Sequence, residues 1–395
     1  MKNFLIYILT ITLMFILFVP RAFASTEDSP PTITSQAAIV MDAKTGAVIY
    51  EKNAENQLYP ASLTKIATAI FAIETGNLND VVTVSEEAVD VEGTLVYLDE
   101  GEQVTLKKLV QGLLINSGND AGAAIAEHLS GSVEQFAIDI NQYLQNKVGV
   151  KNTHFENPHG LFNPEHVTTA KDLAVITQYA MKNETFREIF GTEVLPWKGE
   201  TWDTTLYTHH KLMRENPYEG ITGGKTGFVN ESGHTLATTA TRDNLSLIVV
   251  TLKNQNKMNA YKDTENLLDY GFDNFETSSL EGGTVIQVNN HGYRLPDKVY
   301  YTHSSNEDHV EKQLAKNGTL KLVAQDGELT SSVELKPVEK KSSQTQKINS
   351  SGGVASNLDY ISLSFVFGSL LIVLGLAVMI YKKRKNRKNP YYLGF

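Results

Sequence analysis

The feature that most constrains this chain is an uncharged apolar run of 21 residues, Ile361 to Tyr381, followed at once by a basic tail. At about 1.5 Å per residue, a helix of that length reaches ~31 Å, enough to cross the hydrocarbon core of a bilayer. The tail, residues 382–395, carries six cations, and positive residues accumulate on the cytoplasmic side of membranes. The sequence therefore predicts a transmembrane helix over residues 359–381, a cytoplasmic tail, and a long segment that folds outside the membrane.

The N-terminus has the pattern of a secretory signal peptide. Lys2 is followed by an apolar stretch from Phe4 to Pro20, and Ala22-Phe23-Ala24 offers a small-x-small cleavage site. We interpret residues 1–24 as a cleaved signal, with an uncleaved signal anchor as the alternative.

Composition excludes several classes of protein. The chain contains no cysteine, so thiol catalysis and thiolate metal sites are impossible. Without the two cations of the N-terminal segment and the six of the tail, the net charge falls from −10 to −18. An exported segment this acidic disfavours nucleic acid as a partner.

Hydrophobic periodicity predicts an α+β fold. Ala37–Met41 and Ala47–Tyr50 flank a turn and read as a hairpin, and Leu236–Ala240 and Leu245–Leu252 read as a second strand pair. Helices are predicted between these pairs, over Pro60–Glu74, Leu106–Ile115, Ala121–Leu129 and Ala170–Lys182. Strands at both ends of a helical middle indicate one antiparallel sheet with helices on its faces.

The pattern of apolar and polar residues changes after residue 279. Residues 280–337 contain short alternating runs such as Thr284–Val288 and Thr319–Val323, which indicate a small all-β domain. Residues 338–358 are rich in Lys, Ser, Gln and Gly, which predicts a flexible linker. The larger domain is therefore predicted to span residues 33–275.

Ser62 and Lys65 lie three residues apart on the predicted helix that follows Pro60, so they share one face. A serine hydroxyl becomes a good nucleophile only when a base removes its proton. A lysine can be that base when burial or a neighbouring cation lowers its pKa. The pattern is weak by itself, although it occurs once in this chain.

Two further polar elements follow in the chain. Ser117-Gly118-Asn119 interrupts two helical patterns and can present a hydroxyl and an amide to a cleft. Lys225-Thr226-Gly227 has glycines on both sides, which let a backbone approach a ligand closely. Each has a second copy, Ser304-Ser305-Asn306 and Lys44-Thr45-Gly46, and we interpret both copies as turns because they fall outside the order of the other elements.

The three elements in this order, spaced by 55 and 108 residues, resemble the penicillin-recognising serine acyl enzymes. The match is narrower to low-molecular-mass penicillin-binding proteins that are serine D-alanyl-D-alanine carboxypeptidases. It extends to Pro60–Lys65, Ser117–Ala121, Asn157–Leu161, Gly224–Phe228 and Leu267–Phe272. The resemblance implies a β-lactamase/transpeptidase-like fold with a helical subdomain, followed by a small β domain and a membrane anchor.

The resemblance also implies catalytic roles. Ser62 would attack the carbonyl between two D-alanines, Lys65 would be its general base, and Ser117 would relay a proton to the leaving amine. No metal or cofactor would take part. The substrates would be peptidoglycan stem peptides, and β-lactam antibiotics would acylate the same serine.

Substrate-binding roles follow in the same way. Asn119 would hold the peptide, while Lys225 and Thr226 of the Lys225–Gly227 element would bind the terminal carboxylate. Lys225 would also help to keep Lys65 neutral. The backbone N–H groups of Ser62 and Phe228 would form the oxyanion hole.

One position departs from the family pattern. Members of the family usually carry a carboxylate-binding arginine before the Asp-Thr that leads into the Leu267–Phe272 segment, but residues 256–264 contain only Lys257 and Lys262 as cations. A lysine lacks the bidentate fork of arginine. The main prediction is a membrane-anchored D-alanyl-D-alanine carboxypeptidase that faces the bacterial cell wall. Two alternatives stay open, a serine β-lactamase and a non-catalytic wall-binding protein.

Overall fold

The structure, a computed structural model, describes residues 29–288, 291–306, 310–315, 319–323 and 329–337. Its strands are β1 (Ala37–Asp42), β2 (Val48–Lys52), β3 (Val81–Thr83), β4 (Gln103–Thr105), β5 (Val194–Lys198), β6 (Asp203–Tyr207), β7 (Ile221–Val229), β8 (Gly233–Arg242), β9 (Leu245–Asn254), β10 (Phe275–Leu280), β11 (Val285–Val288), β12 (His291–Arg294), β13 (Val299–Ser304), β14 (Glu311–Leu314), β15 (Thr319–Val323), β16 (Leu329–Glu334) and β17 (Lys336–Pro337). Its α-helices are α1 (Thr64–Thr75), α2 (Glu86–Val89), α3 (Leu106–Ile115), α4 (Asn119–Ser130), α5 (Val133–Tyr143), α6 (Ala170–Ala180), α7 (Glu184–Phe190), α8 (Lys211–Arg214) and α9 (Lys257–Asn274). A 3₁₀ turn, Ala61–Leu63, precedes α1, and a π turn, Leu144–Val148, follows α5.

A five-stranded antiparallel sheet in the order β2-β1-β9-β8-β7 organises residues 29–275. Every residue of β1 is buried, and the apolar run of β9 pairs with it over six positions. Continuous apolar runs are typical of strands covered on both faces. The prediction that N-terminal and C-terminal strands join one sheet is confirmed, and β7 lies at its edge.

The two faces of the sheet are covered by helices, so the predicted α+β class is confirmed. Ile39 and Val250 belong to the larger core, which includes residues of α1, α3, α4, α6 and α7. Val40 and Val249, the next positions along these strands, pack with Leu267 and its neighbours on α9. Successive side chains of a strand alternate between the two faces of a sheet, and here both sets are apolar.

Two local differences separate the structure from the sequence prediction. Ser62 lies in the 3₁₀ turn rather than inside the helix, which begins only at Thr64. The second difference is α9, which runs for 18 residues over 257–274, where no helix was predicted. Its polar composition weakens the periodic signal, but Asn256 caps its first turn through the backbone N–H groups of residues 258 and 259.

The segment after residue 275 is built of strands around a small core. β10 pairs with β13, β12 lies between β11 and β17, and β15 lies between β14 and β16. Leu295, Leu320, Leu322 and Leu335 are buried at its centre. The Asp42 carboxylate, at the end of β1, accepts hydrogen bonds from the hydroxyls of Thr277 (2.5 Å) and Thr302 (2.8 Å). These contacts join the strand-rich segment to the main sheet.

The predicted signal peptide, linker, transmembrane helix and basic tail lie outside the residues that the structure describes. Within the described ranges, no helix is long and apolar enough to cross a membrane. The predicted domain boundaries stay predictions.

Candidate active site

The Ser62 hydroxyl and the Lys65 ammonium group lie at the start of α1. Lys65 Nζ lies 2.9 Å from Ser62 Oγ, 2.7 Å from Asn119 Oδ1 and 2.8 Å from the carbonyl oxygen of His159. An uncharged amine has two N–H donors and one lone pair. In that form Lys65 donates to Asn119 and His159, and its lone pair is left for the Ser62 proton.

Burial and charge both favour the uncharged form of Lys65. Burial of this side chain lowers its pKa well below the ordinary lysine value, and the charge of Lys225 lowers the pKa further. The carboxylate of Asp120 opposes this by raising the pKa, but its effect is smaller. The local environment therefore favours the uncharged, basic form of Lys65 far more than water does for an exposed lysine.

The loop between α3 and α4 brings the second element to the same place. Ser117 adopts a left-handed backbone conformation, with φ of 64°. Its Oγ accepts a hydrogen bond of 2.9 Å from Lys225 Nζ. Asn119 donates from Nδ2 to the carbonyl oxygen of Glu92 at 2.5 Å, while its Oδ1 accepts from Lys65. Both ends of the Asn119 amide thus fix its orientation.

The third element lies on the edge strand β7. Lys225 is buried, which lowers its pKa to about 7, and it also donates to the backbone oxygen of Thr226 at 2.8 Å. Thr226 is half-buried, and the Phe228 side chain is 55% exposed. A Cβ atom on Gly227 would lie only 2.8 Å from the backbone nitrogen of Ser62. The absence of a side chain there lets β7 lie directly against the Ser62 turn.

The structure thus brings together five of the six predicted polar side chains of the site from three separate parts of the chain, namely Ser62, Lys65, Ser117, Asn119 and Lys225. Gly227 and Phe228 continue along the same edge strand. The repeated tripeptide Lys44-Thr45-Gly46 instead forms the β1–β2 turn, where Gly46 has φ of 78°.

The loop that follows Phe155 packs against the 3₁₀ turn that carries Ser62. The backbone N–H of Glu156 donates to His166 Nδ1 at 3.0 Å, so Nε2 carries the proton that points to Thr64 Oγ1 at 2.8 Å. Thr64 in turn donates to the carbonyl oxygen of Ala61 at 2.8 Å. Burial lowers the pKa of His166 to about 3, so this ring remains neutral.

Gly160, in the same loop, reaches even closer to the turn. Its φ is 87°, and a Cβ atom there would lie 1.9 Å from the carbonyl oxygen of Ala61. The Asn157–Leu161 part of this loop belongs to the segments that carry the family resemblance, but His166 was not predicted. One sequence carries no signal for its contact with Thr64, because the two residues are 102 positions apart.

The position of the missing arginine is occupied by the first turn of α9. Lys257 is exposed. The pKa of His234 is lowered mainly by burial and further by the charge of Lys257. His234 is the residue of β8 that pairs with Phe228 of β7. Lys262 is also exposed, but it lies 4.0 Å from Glu265 in an ion pair. Lys257 is therefore the cation of this helix that is close to the end of β7.

The family model described as D-alanyl-D-alanine carboxypeptidase matches residues 24–256. The D-alanyl-D-alanine carboxypeptidase DacF of Bacillus subtilis is 32% identical over 290 residues, which cover 71% of this chain and 74% of that protein. The D-alanyl-D-alanine carboxypeptidase DacA of Haemophilus influenzae is 34% identical over 295 residues and covers 69% of each chain.

Solved structures give the same result for the fold. Penicillin binding protein 5 from Haemophilus influenzae superposes with a TM-score of 0.69 at 28% identity, covering 78% of this chain and 98% of that one. A mutant of the Streptomyces K15 DD-transpeptidase superposes with a TM-score of 0.58 at 30% identity, covering 62% of this chain and 99% of that one.

Proposed function

The chain belongs to the D-alanyl-D-alanine carboxypeptidase family, and we propose that it removes the terminal D-alanine from peptidoglycan stem peptides ending in D-Ala-D-Ala. The observation that carries this function is the 2.9 Å contact between Ser62 Oγ and the buried amine of Lys65. It provides a nucleophile and a base that needs no metal or cofactor.

The first half-reaction forms an ester with the enzyme. Lys65 accepts the Ser62 proton while Oγ attacks the carbonyl carbon between the two D-alanines. The backbone N–H groups of Ser62 and Phe228 stabilise the negative oxygen that develops. The carbon–nitrogen bond then breaks as Ser117 passes its proton to the departing amine and takes the Ser62 proton from Lys65 in exchange. Free D-alanine leaves, and Lys65 is uncharged again.

The second half-reaction restores the enzyme. A water molecule attacks the ester carbon, its proton passes to Lys65, and the bond from carbon to Ser62 Oγ breaks. Ser62 regains a proton and the shortened peptide leaves with a new terminal carboxylate. A β-lactam follows only the first half, because its cleaved amide stays attached as part of the ring system and no amine departs.

The terminal carboxylate of the substrate would bind at β7. Lys225 and the Thr226 hydroxyl supply a cation and a donor there. Asn119 contacts Lys65 from the loop whose Ser117 accepts a hydrogen bond from Lys225. Lys257 adds positive charge close to the end of the same strand, because its charge lowers the pKa of His234 there. This position supports a role for Lys257 in place of the missing arginine. A lysine makes a single point contact, so we expect weaker carboxylate binding than an arginine would give.

We also propose that the enzyme acts at the outer surface of a bacterial plasma membrane. The support is the sequence alone: the signal pattern of residues 1–24, and the apolar run of residues 359–381 with its basic tail. Residues 338–358 would then tether the folded part to the membrane.

The test compares the full chain with a Ser62→Ala variant. Both are incubated with a stem peptide that ends in D-Ala-D-Ala, and free D-alanine is measured. Release by the parent and none by the variant is the expected result. No release from either protein would refute the function, and penicillin destruction would then separate the β-lactamase alternative from the non-catalytic one.

A further inference from the structure

Tyr97 combines two features that rarely occur in one residue. Its φ is 58°, in the left-handed region, and its side chain is 64% exposed. A residue with a Cβ atom is strained there, and nine glycines in the described part of this chain occupy positive φ values without that strain. Glycine would satisfy the backbone at this position, so the strain points to a use for the exposed ring.

The surrounding contacts hold Tyr97 in this conformation. The neighbouring Val96 and Leu98 are buried, and both of their backbone N–H groups donate to the carboxylate of Asp120, at 3.0 and 3.1 Å. The indole of Trp202 donates to the carbonyl oxygen of Tyr97 at 3.1 Å, and the two rings lie edge to face at 5.7 Å. Asp120 and Trp202 are therefore positioning residues for the tyrosine.

The segment that carries Tyr97 packs directly against the loop that carries Ser117 and Asn119. Asp120 directly follows Asn119, whose backbone N–H donates to the carbonyl oxygen of Thr94 at 2.7 Å. Gly118 lies so close to Val96 that an added Cβ would be 3.0 Å from Val96 Cγ1. The exposed ring thus belongs to the segment that packs on the Ser117–Asn119 loop, the wall that Lys225 reaches from β7.

We propose that the Tyr97 ring binds the aliphatic side chain of the residue that precedes the two D-alanines. The inference rests on the proposed function, in which the carboxylate end of the substrate lies at Lys225 and Thr226. The preceding residue must then extend out of the cleft, and Tyr97 offers a large apolar surface on the loop wall. The ring favours uncharged methylene groups, because burying their apolar surface against an aromatic face makes the free energy of binding more favourable.

The test measures a preference rather than a rate. Full-length protein hydrolyses two peptides, N-acetyl-norleucyl-D-Ala-D-Ala and N-acetyl-glycyl-D-Ala-D-Ala, and the ratio of their kcat/KM values is compared between variants. We expect the parent to favour norleucine by about tenfold, as burial of a few methylene groups predicts, and Tyr97→Ala to reduce the ratio to about one. Tyr97→Phe keeps the ring and the ratio. The matched control, Tyr300→Ala, removes another exposed aromatic ring on β13 and leaves the ratio unchanged.

A second readout keeps this proposal separate from the proposed function. Acylation rates are measured with benzylpenicillin and with 6-aminopenicillanic acid, which lacks the acyl side chain. If no protein releases D-alanine, the proposed function fails, and the penicillin ratio alone decides the role of Tyr97. Ratios that are equal in the parent and in Tyr97→Ala overturn the proposal. Tyr97→Gly, which removes both ring and strain, replaces Tyr97→Ala if the alanine variant is unfolded.

Discussion

Replacing Gly227 by alanine tests whether the edge strand and the nucleophile form one rigid unit. The added Cβ would lie 2.5 Å from Thr235 Oγ1, 2.8 Å from the Ser62 nitrogen and 3.0 Å from Ala61 Cβ. Ordinary contacts at such positions are about 3.5 to 4 Å, so β7 and the 3₁₀ turn must separate by several tenths of an ångström or more. That displacement moves the Phe228 N–H away from the Ser62 N–H, with which it would form the oxyanion hole.

The expected losses differ in size. Loss of one oxyanion donor lowers kcat by about 10²–10³, whereas overpacking of this kind costs about 1–3 kcal/mol of stability. A stability loss of that size lowers Tm by roughly 2–4 °C for each kcal/mol in a protein of this length. Acylation by a fluorescent penicillin, followed by denaturing gel, measures the first quantity, and thermal unfolding measures the second.

Gly101→Ala is the control for the backbone. Gly101 has φ of 81°, and an added Cβ would meet nothing within 4 Å, so this change introduces strain without a collision. We expect it to reduce stability by about 1 kcal/mol and to leave acylation unchanged. A folded Gly227→Ala variant that is acylated within threefold of the parent rate would refute the reasoning.

Three further outcomes are expected. First, kcat/KM for peptide hydrolysis rises with pH as Lys65 loses its proton. It falls above about pH 7, because Lys225, with a pKa of about 7, then loses the charge that binds the carboxylate. A value of kcat/KM that still rises at about pH 9 would contradict this assignment. Second, Lys257→Ala raises KM for the peptide about tenfold while Lys262→Ala, its matched control on the same helix, leaves KM unchanged; equal effects would remove Lys257 from the site. Third, Asp263→Ala lowers the free energy of unfolding by about 2–5 kcal/mol, because the buried hydrogen-bond donors of residues 34, 35 and 254 lose their acceptor. Urea denaturation measures this loss, and a change below about 1 kcal/mol would be the contrary result.

Local pattern predicted most of the sheet and the long apolar helices. The alternation and apolar runs of β1 and β9 indicated one sheet, although Ala37 and Leu252 are far apart in the chain, because a strand covered on both faces has a composition that few other elements share. By contrast, α9 was missed, since its residues are mostly polar and only Leu267 and a few others mark its buried side.

The polar side chains of the site were found from the order of three short elements, and the structure places Ser62, Ser117 and Lys225 together. Their catalytic roles stay predictions. The residues that hold the site in shape were not found, because their partners are distant in sequence. Asp120 illustrates this: its carboxylate binds the backbone of Val96, and no property of either residue type signals that pairing.

The burial of Lys65 makes its basicity depend on folding. An exposed lysine has a pKa near 10.4 and is fully protonated at neutral pH, so in the unfolded chain it cannot take the proton of Ser62. Burial in the core around α1, together with the charge of the sequence-distant Lys225, favours the uncharged amine in the folded chain. The unfolded chain therefore lacks the base that the proposed mechanism needs, and folding creates it.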